Sequence, residues 1–292
     1  MFSLVNVLSM QMGLNLDHTP KFKKPPVIET ALGVQFKPLA KMRITHFGLF
    51  WLAVSPNEEF PIVEERNRLP QDVEEKDDTN KQGLFRAWIS EAEELPRVLF
   101  LSQESKDGQR LIQVQPDRFL QNWRRKSLND ENYPSYKKNK EEFQVTFSKF
   151  LEFVKANKLG EVVPNQCEVT YVNRIPVDPG LTIGEMCSRC FPSLSSIGRF
   201  NLFSSEPERV IAHWSYWVEQ ISGRVRIDIT PVVLKDSSQP IIDLRITARG
   251  APESGDNLVD VLEWLNLGHY YVVKGFDAIT SATMHERWER DP

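Results

Sequence analysis

The chain reads as an α+β protein of two pseudo-repeated units, each running strand, helix, three antiparallel strands, long helix. Three observations predict this. Two turn signals, Asp107-Gly108 and Ile221-Ser222-Gly223, each lie between runs of alternating apolar and polar residues, the pattern of a β-hairpin. Two long stretches, one after Pro134 and one after Gly255, carry apolar residues at helical spacing. The order of elements in residues 26–160 then recurs in residues 161–292, although the halves share little wording.

Residues 1–25 read as an N-terminal tail ending in the basic run KFKKPP, which docks on the body or a partner or frays. The first unit, 26–160, opens with VIETALGVQF (27–36), a strand stopped by Pro38. ITHFGLFWLAV (44–54) sets Ile44, Phe47, Phe50, Trp51 and Val54 on one helical face and is closed by Ser55-Pro56. Residues 57–94 are acidic and broken by prolines, and predict a long surface excursion anchored by LFRAWI. RVLFLSQ and RLIQVQ flank the Asp107-Gly108 turn, and a third extended piece runs from Asp117 to Trp123. The closing helix has Tyr136, Phe143, Phe147, Phe150, Leu151 and Val154 on one face and ends at Gly160.

In the second unit, 161–292, QCEVTYVNRIPV (166–177) is a strand with Cys167, Val169 and Tyr171 on one side. A short helical turn around IGEMCSRCF follows, then strands at 209–220, 224–234 and 241–250. One long C-terminal helix carrying Leu258, Val261, Leu262, Leu265 and Tyr271 completes the chain. A long helix laid across a curved antiparallel sheet in each unit is the architecture of TATA-binding-protein-like or helix-grip-like folds.

Composition narrows the function classes. A net charge of −4 argues against a surface built wholly for nucleic acid and leaves room for a local basic patch. Three cysteines without framework spacing argue against a disulfide-built secreted fold. The N-terminus lacks the charged flank and cleavage site of a signal peptide, and a cytoplasmic protein is the expectation. Phosphate loops, nucleophile elbows and paired zinc histidines are all missing, and the five histidines are scattered. The pair Cys187 and Cys190 is the weak candidate for metal, since a four-ligand site needs two more ligands nearby. Glu168, Asp228 and Asp243, with Arg226 and Arg245, fit either a nuclease-like acidic cluster or a cross-strand charge ladder. No cofactor is expected.

The remaining constellation is Gln113, Gln115, Arg118, Asn122, Trp123, Arg124, Arg125 and Lys126 with Asn165, Gln166, Tyr171 and Asn173. Amides donate and accept at fixed geometry without titrating, which suits recognition of base edges or a peptide backbone better than acid–base chemistry. Lys137, Lys138 and Lys140 would add phosphate contacts. The competing reading is that these amides tie strand ends and turns together inside the fold.

PPVIETALGVQF, LIQVQPDRFLQNW followed by YPSY, and PNQCEVTYVNRI together resemble a sporadically distributed bacterial and archaeal family without an established activity. The closing LGHYYVVKGFDAITSATMHERW is similar to that family's C-terminal end, whereas the tail and the acidic excursion depart from its pattern. The resemblance implies a mobile accessory gene, of the toxin–antitoxin or phage-defence kind. The expectation is therefore a non-enzymatic binding or regulatory protein whose partner is a protein, encoded beside it. The alternatives are nucleic-acid binding on a curved sheet and, behind it, a metal-dependent nuclease. A helix-grip cavity for an apolar ligand is also compatible with the aromatic content.

Overall fold

Nine strands pair into one antiparallel sheet in the computed structural model. The model describes residues 19–71, 73–76, 95–105, 107–125, 133–195, 207, 209–234, 238–253 and 258–291. The elements are β1 (Val27–Phe36), α1 (Ile44–Val54), β2 (Ile62–Arg66), β3 (Arg97–Leu101), β4 (Gln109–Gln115), β5 (Arg118–Arg124) and α2 (Tyr136–Ala156). They continue with β6 (Pro164–Pro176), α3 (Ile183–Cys190), β7 (Ala212–Val218), β8 (Gly223–Val233), β9 (Pro240–Gly250), α4 (Leu258–Ile279) and α5 (Ala282–Arg287). The sheet order is β2-β3-β4-β5-β1-β6-β9-β8-β7. The first strands of the two halves, β1 and β6, thus lie side by side at the centre, with Gly33 opposite Glu168 and Ala31 opposite Thr170.

Because side chains alternate along a strand, this register sorts residues onto two faces. Leu32, Val34 and Phe36 of β1 share a face with Phe119 and Trp123 of β5, Val169 and Tyr171 of β6, and Leu244 and Ile246 of β9. All belong to one buried core, and the helices cover this face. The opposite face carries Glu29 and Gln35, Gln113 and Gln115, Arg118 and Asn122, Glu168, Arg245, Arg249, Arg224 and Arg226.

The helices follow from their apolar stripes. α2 begins where the Ser135 side chain accepts from the Lys138 N–H, satisfying one of the open donors of the first turn. Phe143, Phe147 and Phe150 meet the Phe119 ring at centroid distances of 5.8, 5.2 and 5.3 Å. Each such ring taken from water contributes roughly 1.5–3 kcal/mol. α4 lies close on β6 at Gly268, where a Cβ would stand 2.8 Å from Trp264 and 3.1 Å from Val169. α1 buries Phe47, Phe50 and Val54, while Ile44, Leu49 and Leu52 stay exposed.

Three expectations change. The range 57–94 is not all surface loop: Ile62–Val63–Glu64–Glu65–Arg66 pairs with β3 as a fourth strand after α1, and Glu74 is buried. LFRAWI lies outside the described residues. The turn around IGEMCSRCF is a full α-helix, started by a capping box between Thr182 and Glu185. The C-terminal helix is two helices, because Thr280–Ser281 breaks it and the Ser281 side chain caps α5 through the Met284 N–H. No helix among the described residues is long and apolar enough to cross a membrane.

Residues 19–26 do not stand free. Phe22 forms a bridge to Arg290, Lys24 N–H donates to the Trp288 carbonyl at 3.1 Å, and Asp291 N–H donates to the Lys21 carbonyl at 2.8 Å. Phe22 packs edge-on against Phe276 at 5.1 Å.

Candidate functional site

A cavity of about 910 Å³ opens on the helix side of the sheet, over β1, β6 and β9. Its floor is Val27 of β1, Tyr171 and Asn173 of β6 and Ile246 of β9. One wall is Tyr133, Ser135 and Tyr136 at the start of α2, and a second is Asn266, His269, Tyr270, Val273 and Phe276 of α4. The segment from Thr19 to Pro25 supplies the third. The volume lies in the range of pockets that take whole small molecules.

The polar groups form a connected set. The Tyr133 hydroxyl donates to that of Tyr171 at 3.1 Å, and the Tyr171 hydroxyl meets His269 Nδ1 at 3.1 Å. With Tyr171 donating to Nδ1, the neutral imidazole carries its proton on Nε2. The His269 ring stacks on Tyr136 with centroids 3.7 Å apart and planes 6° from parallel. Asn266 Oδ1 accepts from the Tyr136 hydroxyl at 3.2 Å and from Lys140 Nζ at 2.8 Å. An ammonium only donates, so the amide orientation is fixed and Nδ2 is left as the free donor of Asn266 among the described residues. Asn173 is 1% exposed; its Nδ2 donates to the Leu244 carbonyl at 3.2 Å, and its Oδ1 has no partner among the described residues.

Burial keeps these groups uncharged. It holds the His269 imidazole down at about 3, helped by the Lys140 charge. It pushes Tyr133 up to about 12 and raises Tyr171 and Tyr136 well above the ordinary tyrosine range. Desolvation disfavours the charged form in each case. Such a site offers hydrogen bonds from uncharged imidazole and phenol groups.

The residues singled out in the sequence fall into three places. Tyr171 and Asn173 line the cavity. Trp123 is in the core, its Nε1 donating to the Asp107 carbonyl at 2.7 Å. That contact needs the tight turn at Gly108, whose φ is +87° and whose Cβ would stand 2.4 Å from the same nitrogen. The others, Arg125 aside, brace the opposite face. Gln113 Nε2 donates to Asn122 Oδ1 at 2.8 Å, and Asn122 Nδ2 to Glu29 Oε1 at 2.6 Å. Gln115 Nε2 donates to the Leu69 carbonyl at 3.0 Å and to Asp117 at 2.6 Å, while its Oε1 accepts from the Leu69 N–H at 3.0 Å. Arg118 and Arg249 converge on Gln35 Oε1, Asn165 accepts from Gln35 Nε2 at 3.1 Å, and Gln166 accepts from the Glu74 N–H at 3.3 Å. Arg124 donates to Gln109 at 2.7 Å and Arg125 to the Pro25 carbonyl at 2.9 Å. Lys126 lies outside the described residues.

Residues 68–71 and 73–76 lie along this second face. Glu74 accepts from Arg224 at 2.8 Å and from Arg226 at 2.6 and 2.9 Å, with its side chain 3% exposed. Burial opposes its ionisation, but the hydrogen bonds from Arg226 and Arg224 outweigh that and hold its carboxyl below the usual range.

The acidic residues of the strands are separate and each has a basic neighbour. Asp228 meets His213 at 2.6 Å, Asp243 faces Arg174 at 3.9 Å and Glu168 faces Arg249 at 4.0 Å. Across the ladder Asp228 also stands opposite Arg245. Among the described residues no three acidic, histidine or cysteine side chains gather as metal ligands, Cys187 and Cys190 included. Lys137 pairs weakly with Glu141 at 4.0 Å, and Lys140 turns toward Asn266.

Asn266, His269, Tyr133 and Tyr136 are not among the candidate site residues read from the sequence. The signal available was polar residues at helical spacing, Asn266 and His269, on the inward side of an apolar helix that also buries Leu265 and Val272. No protein-family model, curated protein or solved structure matches the chain.

Proposed function

We propose that this is a non-enzymatic binding and regulatory protein that holds a small ligand in the cavity and presents its occupied state to a macromolecular partner. The observation that carries the reading is the cavity itself, with its apolar walls and, within the floor residue Asn173, a buried carboxamide oxygen that has no partner among the described residues. A buried acceptor without a donor costs about 1–3 kcal/mol, a cost that a ligand N–H or O–H removes. The neutral His269 and tyrosines favour recognition over proton transfer.

The partner surface in this reading is α1. Its Ile44, Leu49 and Leu52 are 50%, 49% and 60% exposed, and Val145 of the adjoining α2 is 57% exposed. An α-helix apolar on both faces is the kind that associates. α1 packs on α2, whose first turn forms a cavity wall, so one helix touches both sites. The resemblance in the sequence would put the partner, a protein, in a defence or toxin–antitoxin setting.

The reading includes an internal pseudo-repeat of TATA-binding-protein-like kind. Its support is the strand order: β5, β4 and β3 step outward from β1 as β9, β8 and β7 step outward from β6. Nucleic-acid binding on the helix-free face is the second reading, favoured by the guanidinium groups of Arg118, Arg224, Arg226 and Arg249 there. Their ties to Gln35 and Glu74 favour the cavity instead.

Native mass spectrometry of the full chain purified from cells tests the proposal. We expect a bound small molecule that is released on unfolding and is absent from Val273→Trp, which fills the cavity. Retention of the same molecule by that variant places the ligand elsewhere. A bare protein that no compound in a broad metabolite panel stabilises overturns the reading.

A further inference from the structure

We propose that the cavity ligand is a nucleoside phosphate, its base edge read by Asn173, Asn266 and His269 and its phosphate held at the lysine rim. This rests on the cavity being a ligand site and adds the chemistry of the ligand.

The argument starts from what the three polar side chains have left to offer. Asn173 has spent its donor on a backbone carbonyl and keeps a buried acceptor. Asn266 has spent its acceptor twice and keeps its amide donor. His269 has Nδ1 engaged by Tyr171, and in the tautomer that accepts there it keeps Nε2–H. Two donors and one acceptor, all uncharged and all set by neighbouring groups, match a ligand edge that itself carries acceptors beside a donor. Amide-bearing rings present such an edge, and carboxamide side chains are the ordinary readers of nucleobases. A fatty acyl chain would leave all three unpaired. A sugar would satisfy them and leave Val27, Ile246, Val272 and Phe276 facing polar atoms.

Charge lies outside this set. Lys21, Lys23 and Lys137 line the cavity and are exposed, against one carboxylate among the described residues, Glu263. Among the described residues Lys23 and Lys137 make long pairings, at 3.9 Å to Asp291 and 4.0 Å to Glu141, and exposed pairs of that kind are weak. Three ammonium groups at the mouth of a neutral pocket fit an anion joined to an uncharged planar body, which is the layout of a nucleotide. The volume of about 910 Å³ leaves room for base, ribose and phosphate together.

The test is isothermal titration of the full chain with the four ribonucleoside 5′-monophosphates, with ribose 5-phosphate and decanoate as comparators. At least one nucleotide should bind, and ribose 5-phosphate at least tenfold more weakly than that nucleotide. Asn266→Asp keeps the acceptor that holds Tyr136 and Lys140 and removes the Nδ2 donor. It should weaken the nucleotide tenfold or more while the melting temperature of the free protein stays near wild type. Equal binding by that variant, or ribose 5-phosphate binding as tightly as the nucleotide, overturns the assignment. Decanoate binding without any nucleotide overturns it too, and leaves the ligand cavity standing. Should no comparator or nucleotide bind and Val273→Trp change nothing, the cavity reading falls with it.

Discussion

At the scale of single residues, two buried titratable groups set how stability responds to acid, in different pH windows. His269 has its folded pKa near 3 against an ordinary 6.5, so between those values the unfolded chain holds the extra proton. Its contribution is complete above about pH 6.5 and declines as pH falls toward 3, by at most about 1.4 kcal/mol per pH unit. Glu74 has a folded pKa below 4.5; its contribution is complete above 4.5 and is lost as pH falls through the folded value. Urea midpoints from pH 7 to 3 should therefore flatten in the upper window for His269→Gln and in the lower window for Glu74→Gln. A His269→Gln profile parallel to wild type would show that the imidazole is protonated in the folded protein. Neither residue is conspicuous in the sequence, since burial decides both: Glu74 sits among surface-like acidic residues, and His269 looks like one of five scattered imidazoles.

At the scale of elements, α2 joins the core to the cavity, and its two ends can be tested apart. Phe150 is fully buried and touches Phe36, Phe50 and Phe119. Phe150→Ala should cost about 3–5 kcal/mol of unfolding free energy by chemical denaturation. Ser135→Ala removes only the cap and should cost about 1 kcal/mol. A similar loss from both would mean that the aromatic cluster is not the seat of the stability. Most of this element was readable in advance, because Phe143, Phe147, Phe150 and Val154 recur at helical spacing. The short strand β2 was not: Pro61-Ile62-Val63-Glu64-Glu65 lacks alternation, its residues are largely exposed, and only pairing with β3 makes it a strand. The break before α5 was hidden as well, because Thr280-Ser281 is polar in a stretch that keeps helical spacing on both sides.

At the scale of the whole molecule, the sheet shields the chain's thiols. Cys167, Cys187 and Cys190 are all buried, and burial pushes Cys187 up to about 11 and Cys190 up to about 12. Thiol reagents at pH 8 should label all three only as fast as the protein opens, and all at once in denaturant. Rapid labelling of one in the folded protein would show a local opening around its element. The α+β class was legible because hairpin signals and helical spacing alternate along the chain. The cavity was not, because it joins Thr19–Pro25, Tyr133–Tyr136, Tyr171–Asn173 and Asn266–Phe276, segments far apart in sequence that only the folded sheet brings together. The central strand β1 has a further consequence, in time rather than space. It leaves the ribosome before both of its neighbours, since Glu29 pairs with Arg124 on one side and Val172 on the other. At about 5–20 residues per second, VIETALGVQF waits several seconds for its first partner and longer for its second. During synthesis the middle of the finished sheet is thus an unpaired apolar strand, so the edge most open to wrong pairing belongs to the nascent chain and is gone from the folded protein.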